Sequence, residues 1–137
     1  MKKLIAIFLI ALIASCNTQP KQEDGTSKMK EVIAIHDEVM PKMGTLARLA
    51  RELNEKIQQE GPNDTYEAAV KDLGNAKTLM MDWMKAFGGE FSADEILKGA
   101  ALSEEKQQAL LEQEVAVKKV RAAILNSIAT AEALLAE

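Results

Sequence analysis

From Val32 onward, one set of side chains recurs at steps of four, three, four, three: Val32, His36, Val39, Met43, Leu46, Ala50, Leu53 and Ile57. Alternating steps of three and four keep all eight on one stripe of an α-helix, the seam along which such a helix packs on a neighbour. A strand, whose side chains change face at every residue, would split this set between two surfaces. A second seam follows the same rule through Tyr66, Ala69, Leu73, Ala76, Met80, Trp83 and Phe87. A third runs through Leu110, Val117, Val120, Ile124, Ala131 and Leu134, flanked by Ile128 and Leu135. Aromatics are 4% of residues against 47% hydrophobic, so aliphatic and methionine side chains must supply most of the core. The chain is expected to be all-α.

The punctuation between seams sets the topology. "EGPND" at residues 60–64 offers Gly61 for a helix C-terminus, Pro62 to stop continuation, and Asp64 with Glu67 as a capping-box pair. So short a loop makes the first two helices antiparallel neighbours. Gly88 and Gly89 read as the end of the second helix, Ser92 with Glu95 as the start of a short helical turn in the connection, and Ser103 as the cap of the last helix. The expectation is an antiparallel three-helix bundle, up-down-up, over residues 28–136. Its first helix covers residues 28–59 and kinks at Pro41, which lacks an N–H but falls on the outer face. A true break near Met40, with Pro41 opening a new helix, is the alternative.

Pairing the first two seams sets Ile57 opposite Tyr66, Ala50 opposite Leu73, Met43 opposite Met80, and His36 opposite Phe87. The unusual residues then gather at one pole: His36, Met40 and Met43 face Met80, Trp83, Met84 and Phe87, with Phe91 near enough to cover them. Two accounts fit this pole. Methionine fills irregular cores and packs well on aromatic rings, so the cluster reads first as packing. The rival is ligation, His36 with Met40, Met43, Met80 and Met84 holding Cu(I), whose softness suits thioethers, or haem iron. Haem fits worse, because bulky rings fill the pole and no CxxCH attachment motif is present.

The N-terminus has another character. Lys2 and Lys3 precede an apolar run over residues 4–14, too short to span a bilayer as a helix but suited to a secretory signal. "IASC" at residues 13–16 resembles the lipobox of bacterial lipoproteins, which implies removal of residues 1–15 and lipidation of Cys16. As the chain's one cysteine, Cys16 has no internal disulfide partner. Residues 16–27 are then the lipidated cysteine and a polar tether, in which Glu23 and Asp24 resemble a displaced surface-export signal of Bacteroidota lipoproteins. Loss of Lys2 and Lys3 lowers the basic count from 17 to 15 against 21 acids, a net charge of −6. Neither nucleic acid nor anionic lipid is an expected electrostatic partner, so the anchor must hold the membrane.

No catalytic chemistry is legible. The chain has one histidine, no glycine-rich phosphate loop and no HExxH, and its carboxylates fall at helix-surface spacing. After Arg121 the last helix is nearly uncharged, and Ala122, Ala129 and Ala136 repeat every seventh residue off the seam. This stripe is a candidate face for a second copy or another envelope protein, although exposed alanines also simply favour helix.

"IHDEVMPKM", "MMDWMKAF" and "ILNSIATAEALLAE" together resemble a family of small Bacteroidota lipoproteins described as viral A-type inclusion proteins or hypothetical lipoproteins. The resemblance covers most of residues 28–136 and rests on seam positions. It implies a helical fold and an envelope location, and it carries over no catalytic residue.

Overall fold

The computed structural model describes residues 25–136, and every regular element among them is helical. Helix α1 spans Gly25–Val39, a 3-10 turn spans Met40–Lys42, and α2 spans Met43–Glu60. Then come α3 (Asp64–Glu90), the short α4 (Ala93–Leu97) and α5 (Glu104–Leu135). Four helices pack on one another: α3 and α5 against each other, α2 against both, and α1 chiefly against α5. The expected signal, lipidation site Cys16 and most of the tether lie outside the described residues. Gly25, Thr26 and Ser27, assigned to the tether by sequence, belong to α1.

Pro41 does more than kink a continuous helix. The α-helix stops at Val39, and Pro41 occupies the first turn of the 3-10 segment, where a missing N–H is harmless. The backbone stays right-handed across the junction, with Val39 at φ −105° and Lys42 at φ −78°. The seam therefore survives: Val32, Val39, Leu46 and Leu53 are buried at seven-residue intervals, two on each side of the interruption. The alternating positions His36, Met43, Ala50 and Ile57 are only half-buried. Met29 and Leu49, outside the seam, are buried as well. Helices α1 and α2 between them touch both α3 and α5, so their buried stripe is wider than a two-helix seam requires.

All seven residues of the second seam are buried, as are Leu110, Val117, Val120, Ile124 and Ala131 of the third. Burying one such aliphatic or aromatic side chain contributes ~1.5–3 kcal/mol, which makes these stripes the main source of stability.

The turns differ from expectation in two places. Asn63, not Asp64, caps α3: its side-chain oxygen accepts from the backbone N–H of Thr65 and Tyr66 at 2.9 and 3.2 Å. An amide oxygen one residue before the first helical turn reaches those donors better than Asp64, already inside the turn. Second, Gly88 and Gly89 do not end α3, which continues to Glu90 and is capped by Phe91. Neither glycine has positive φ, and buried Phe91 fixes where the chain leaves the helix. Gly61 does have positive φ, 97°, and its N–H bonds the Ile57 carbonyl to close α2. The Ser92–Glu95 capping box and the Ser103 cap form as the sequence predicts.

Candidate functional site

The pole singled out by the sequence is organised around a run of rings. His36, one turn before the helix interruption, stacks on Trp83 of α3 with centroids 5.7 Å apart and planes at 30°. Trp83 stacks on Phe87 at 4.8 Å, and Phe87 meets Phe91 at 4.9 Å. Lys106 of α5 completes the run, its Nζ 6.0 Å from the Phe91 centroid. His36 thus pairs with Trp83 rather than with the expected Phe87, which occupies the next layer. The larger indole covers the imidazole face.

Two polar atoms on these rings have defined partners. The Trp83 indole Nε1–H donates to the backbone carbonyl of Gln113 at 3.2 Å, fixing α3 to α5. His36 Nδ1 lies 2.9 Å from the Asp37 carboxylate, while its side chain keeps 21% of its surface exposed. The Gln113 side-chain carbonyl oxygen is buried with no hydrogen-bond partner. Such an atom is costly unless something else reaches it.

The methionines of these helices lie at two depths in the core. Met80 is fully buried, whereas Met40, Met43 and Met84 are half-buried and pack against the core. Met80 and Met84 are one turn apart on α3 and flank Trp83; Met40 follows His36 by four residues. Among the described residues no group of three or more His, Cys, Asp or Glu is placed to hold a metal. The one polar partner shown for the His36 ring is the Asp37 carboxylate.

A salt-bridged clamp closes the same end of the fold. Lys106 Nζ contacts both Glu95 carboxylate oxygens at 3.0 and 2.7 Å, and the Ser92 N–H and hydroxyl donate to the same carboxylate. The Lys106 hydrogen bond first, then those from Ser92, hold the Glu95 carboxyl down at about 2. On α5, hydrogen bonds from Lys118 and then Lys28 lower the Glu114 carboxyl. The sequence hints at only half of this clamp, because a capping box is local whereas Lys106 lies eleven residues away.

The α5 alanines face outward as expected: Ala122, Ala129 and Ala136 are all exposed. Sequence reading missed that Leu111 and Val115, 46% and 55% exposed, continue the stripe toward the helix start, and that Ala133 fills it near the end. Steps of four, seven, seven, four and three keep the six on one face, spanning ~37 Å at 1.5 Å per residue. The charged residue inside the stripe, Lys118, is tied sideways to Glu114.

Two open clefts lie away from the ring run. One, of about 470 Å³, is lined by Gly25, Lys28, Glu104, Gln107 and Leu111. The other lies between α3 and α5 beside Asp72, Asn75, Asn126, Ser127 and Thr130. No helix among the described residues is long and apolar enough to cross a membrane. Comparison with family models, with curated proteins and with solved structures gave no match.

Proposed function

We propose that this chain is a lipid-anchored protein of a bacterial cell envelope with three parts: a Cys16 membrane anchor, a short tether, and a helical domain that binds or braces another envelope component. The observation that carries the reading is the pairing of an "IASC" lipobox with an exposed, nearly uncharged stripe along α5. The anchor fixes the domain at a membrane, most simply the outer membrane, with the domain in the periplasm or on the surface. The stripe supplies a face for a second copy or a different envelope protein. No enzymatic role is proposed, and the resemblance to small Bacteroidota lipoproteins agrees with this assignment.

The domain is read as three arms, up-down-up, with α1 and α2 forming one interrupted arm. Lys28 pairs with Glu114 and Glu38 with Arg121, so the first arm and α5 rise together. Lys56 reaches Tyr66 near the α2–α3 loop while His36 reaches Trp83 farther out, so α3 descends between them. Anchored arms of this kind present a long rigid face without needing a cavity.

Two measurements test the proposal in the native host. Metabolic labelling with an alkyne fatty acid is expected to mark the membrane-bound protein and to fail for Cys16→Ser. A photo-crosslinking side chain at Ala122 or Ala129 is expected to give a discrete adduct that the same group at exposed Lys85 does not give. Unlabelled protein in the soluble fraction would overturn the anchor, and identical crosslinks from both faces would overturn the α5 assignment.

A further inference from the structure

We propose that the connection between α4 and α5 is a lipid contact: Leu97, with Ala100 and Ala101 beside it, enters the surface of the bilayer that holds the chain. The inference rests on the Cys16 anchor and is independent of the α5 face.

Leu97 is 80% exposed, more than any other large apolar side chain among the described residues. Gly99, Ala100 and Ala101 are exposed with it, and the one ionisable residue between 97 and 102 is Lys98, whose Nζ lies 2.7 Å from the Asp94 carboxylate. A single exposed leucine is ordinary, whereas a continuous apolar tip with its one charge already paired gains by leaving water.

The tip is held out by its own backbone. Ile96 before it and Leu102 after it pack against the core. The Lys98 and Ala100 N–H groups both bond the Asp94 carbonyl, at 3.0 and 3.2 Å, and Gly99 turns the chain at φ 69°. Glu95, gripped by Lys106 and Ser92, fastens the base of the tip to α5. Leu97 is thus presented on a loop already ordered, which lowers the entropy that insertion would cost.

What covers the tip follows from where the chain enters the domain. Gly25, at the start of α1, lies against this connection: a Cβ there would stand 3.4 Å from Leu102, and one on Gly99 would stand 3.2 Å from Thr26. Thr26 and Met29 also share a cleft with Leu97 and Gly99. Nine residues of chain lead from Cys16 to Gly25, a span of at most ~30 Å when fully extended. A lipidated Cys16 therefore keeps this end of the domain within that distance of the bilayer, while Gln59 lies 34 residues farther along the first arm, as much as ~50 Å at 1.5 Å per residue. Exposed Glu104 and Glu105, just beyond Ser103, stay in water and limit entry to the tip. A contact of this size adds to the acyl anchor and orients the domain on the membrane without replacing the anchor.

The test uses the mature protein, purified from membranes of the native host and reconstituted in phosphatidylethanolamine–phosphatidylglycerol vesicles. Ala101→Cys, or Gln59→Cys as a control, supplies one reactive thiol for an environment-sensitive fluorophore, the Cys16 sulfur being occupied by lipid. Nitroxide groups on the lipid acyl chains are expected to quench the probe at position 101 and to leave the probe at position 59 unchanged. Leu97→Gln alters only an exposed side chain and is expected to leave the melting temperature unchanged, yet to lower the ratio of inserted to withdrawn tips about tenfold, as loss of one buried leucine does. Vesicle-bound protein with equal quenching at both positions, a probe at 101 shielded from lipid and aqueous quenchers alike, or unchanged quenching in Leu97→Gln would overturn the lipid contact and leave the anchor standing. Protein that neither floats with the vesicles nor carries an acyl chain would overturn both.

Discussion

The imidazole of His36 stacks on the indole of Trp83, 5.7 Å between centroids with the planes at 30°, joining α1 to α3. Trp83 also bonds the Gln113 carbonyl of α5 and stacks on Phe87, so one side chain ties three helices together. Trp83→Ala is therefore expected to destabilise by ~3–5 kcal/mol, the range for a large aromatic truncated in a core. Urea unfolding followed by far-UV circular dichroism measures it, and an unchanged midpoint would contradict the packing described. Trp83→Phe is expected to cost less, because one ring of the stack remains, although the indole hydrogen bond, ~1 kcal/mol, and part of the filled volume are lost.

The seams were legible because their cause is local and periodic. Every second-seam residue is buried, and the heptad of the first arm survives its interruption because a 3-10 turn of three residues keeps the right-handed course. Tertiary choices were not legible. Whether His36 meets Trp83 or Phe87 depends on how the packed helices sit against one another, which no single helix encodes. Gly88 and Gly89 look like a stop signal, yet Phe91 beyond them is buried on Phe87 and draws the helix through. The outer face was half legible: spacing revealed the alanines, whereas Leu111 and Val115 lie outside every seam and join the face only through their exposure.

Because α3 runs through its two glycines, Gly88→Ala and Gly89→Ala are each expected to stabilise the fold by ~0.5–1 kcal/mol. Both are exposed, both have ordinary helical backbone, and an added methyl group meets nothing within 4 Å. Gly61→Ala has the opposite sign, since φ 97° strains any L side chain there, by ~1–3 kcal/mol. Thermal melts of the three variants give the comparison. Destabilisation by alanine at 88 and 89 would mean that α3 ends there.

The cap of α3 gives a sharper local contrast. Asn63→Ala removes the acceptor for the Thr65 and Tyr66 N–H groups and is expected to cost ~1 kcal/mol. Asp64→Ala removes only a charge favourable to the first turn and is expected to cost less, ~0.3–1 kcal/mol, falling with added salt. Denaturant unfolding at low and high salt separates the two. A larger loss at position 64 would transfer the cap to Asp64.

The clamp of α4 onto α5 is expected to open at low pH. The Glu95 carboxyl is held at about 2, from an ordinary 4.5, by Lys106 and then Ser92. A carboxyl depressed by folding lends stability that is complete above its unfolded value and is lost as pH falls toward its folded one. The window is therefore about 4.5 down to about 2, and the lowered Glu114 carboxyl, held by Lys118 and Lys28, weakens in the same direction. Glu95→Gln keeps the size of the side chain but removes its charge, so it is expected to melt below the wild type at pH 7. The gap should narrow through this window and close near pH 2. The protection of the Ile96 and Lys98 amides, whose N–H groups bond Ser92 and Asp94, should fall in wild type over the same range once each rate is referred to the intrinsic exchange rate at that pH. A melting difference that persists unchanged to pH 2 would show that the neutral hydrogen bonds of the capping box, rather than the Lys106 ion pair, fasten α4 in place.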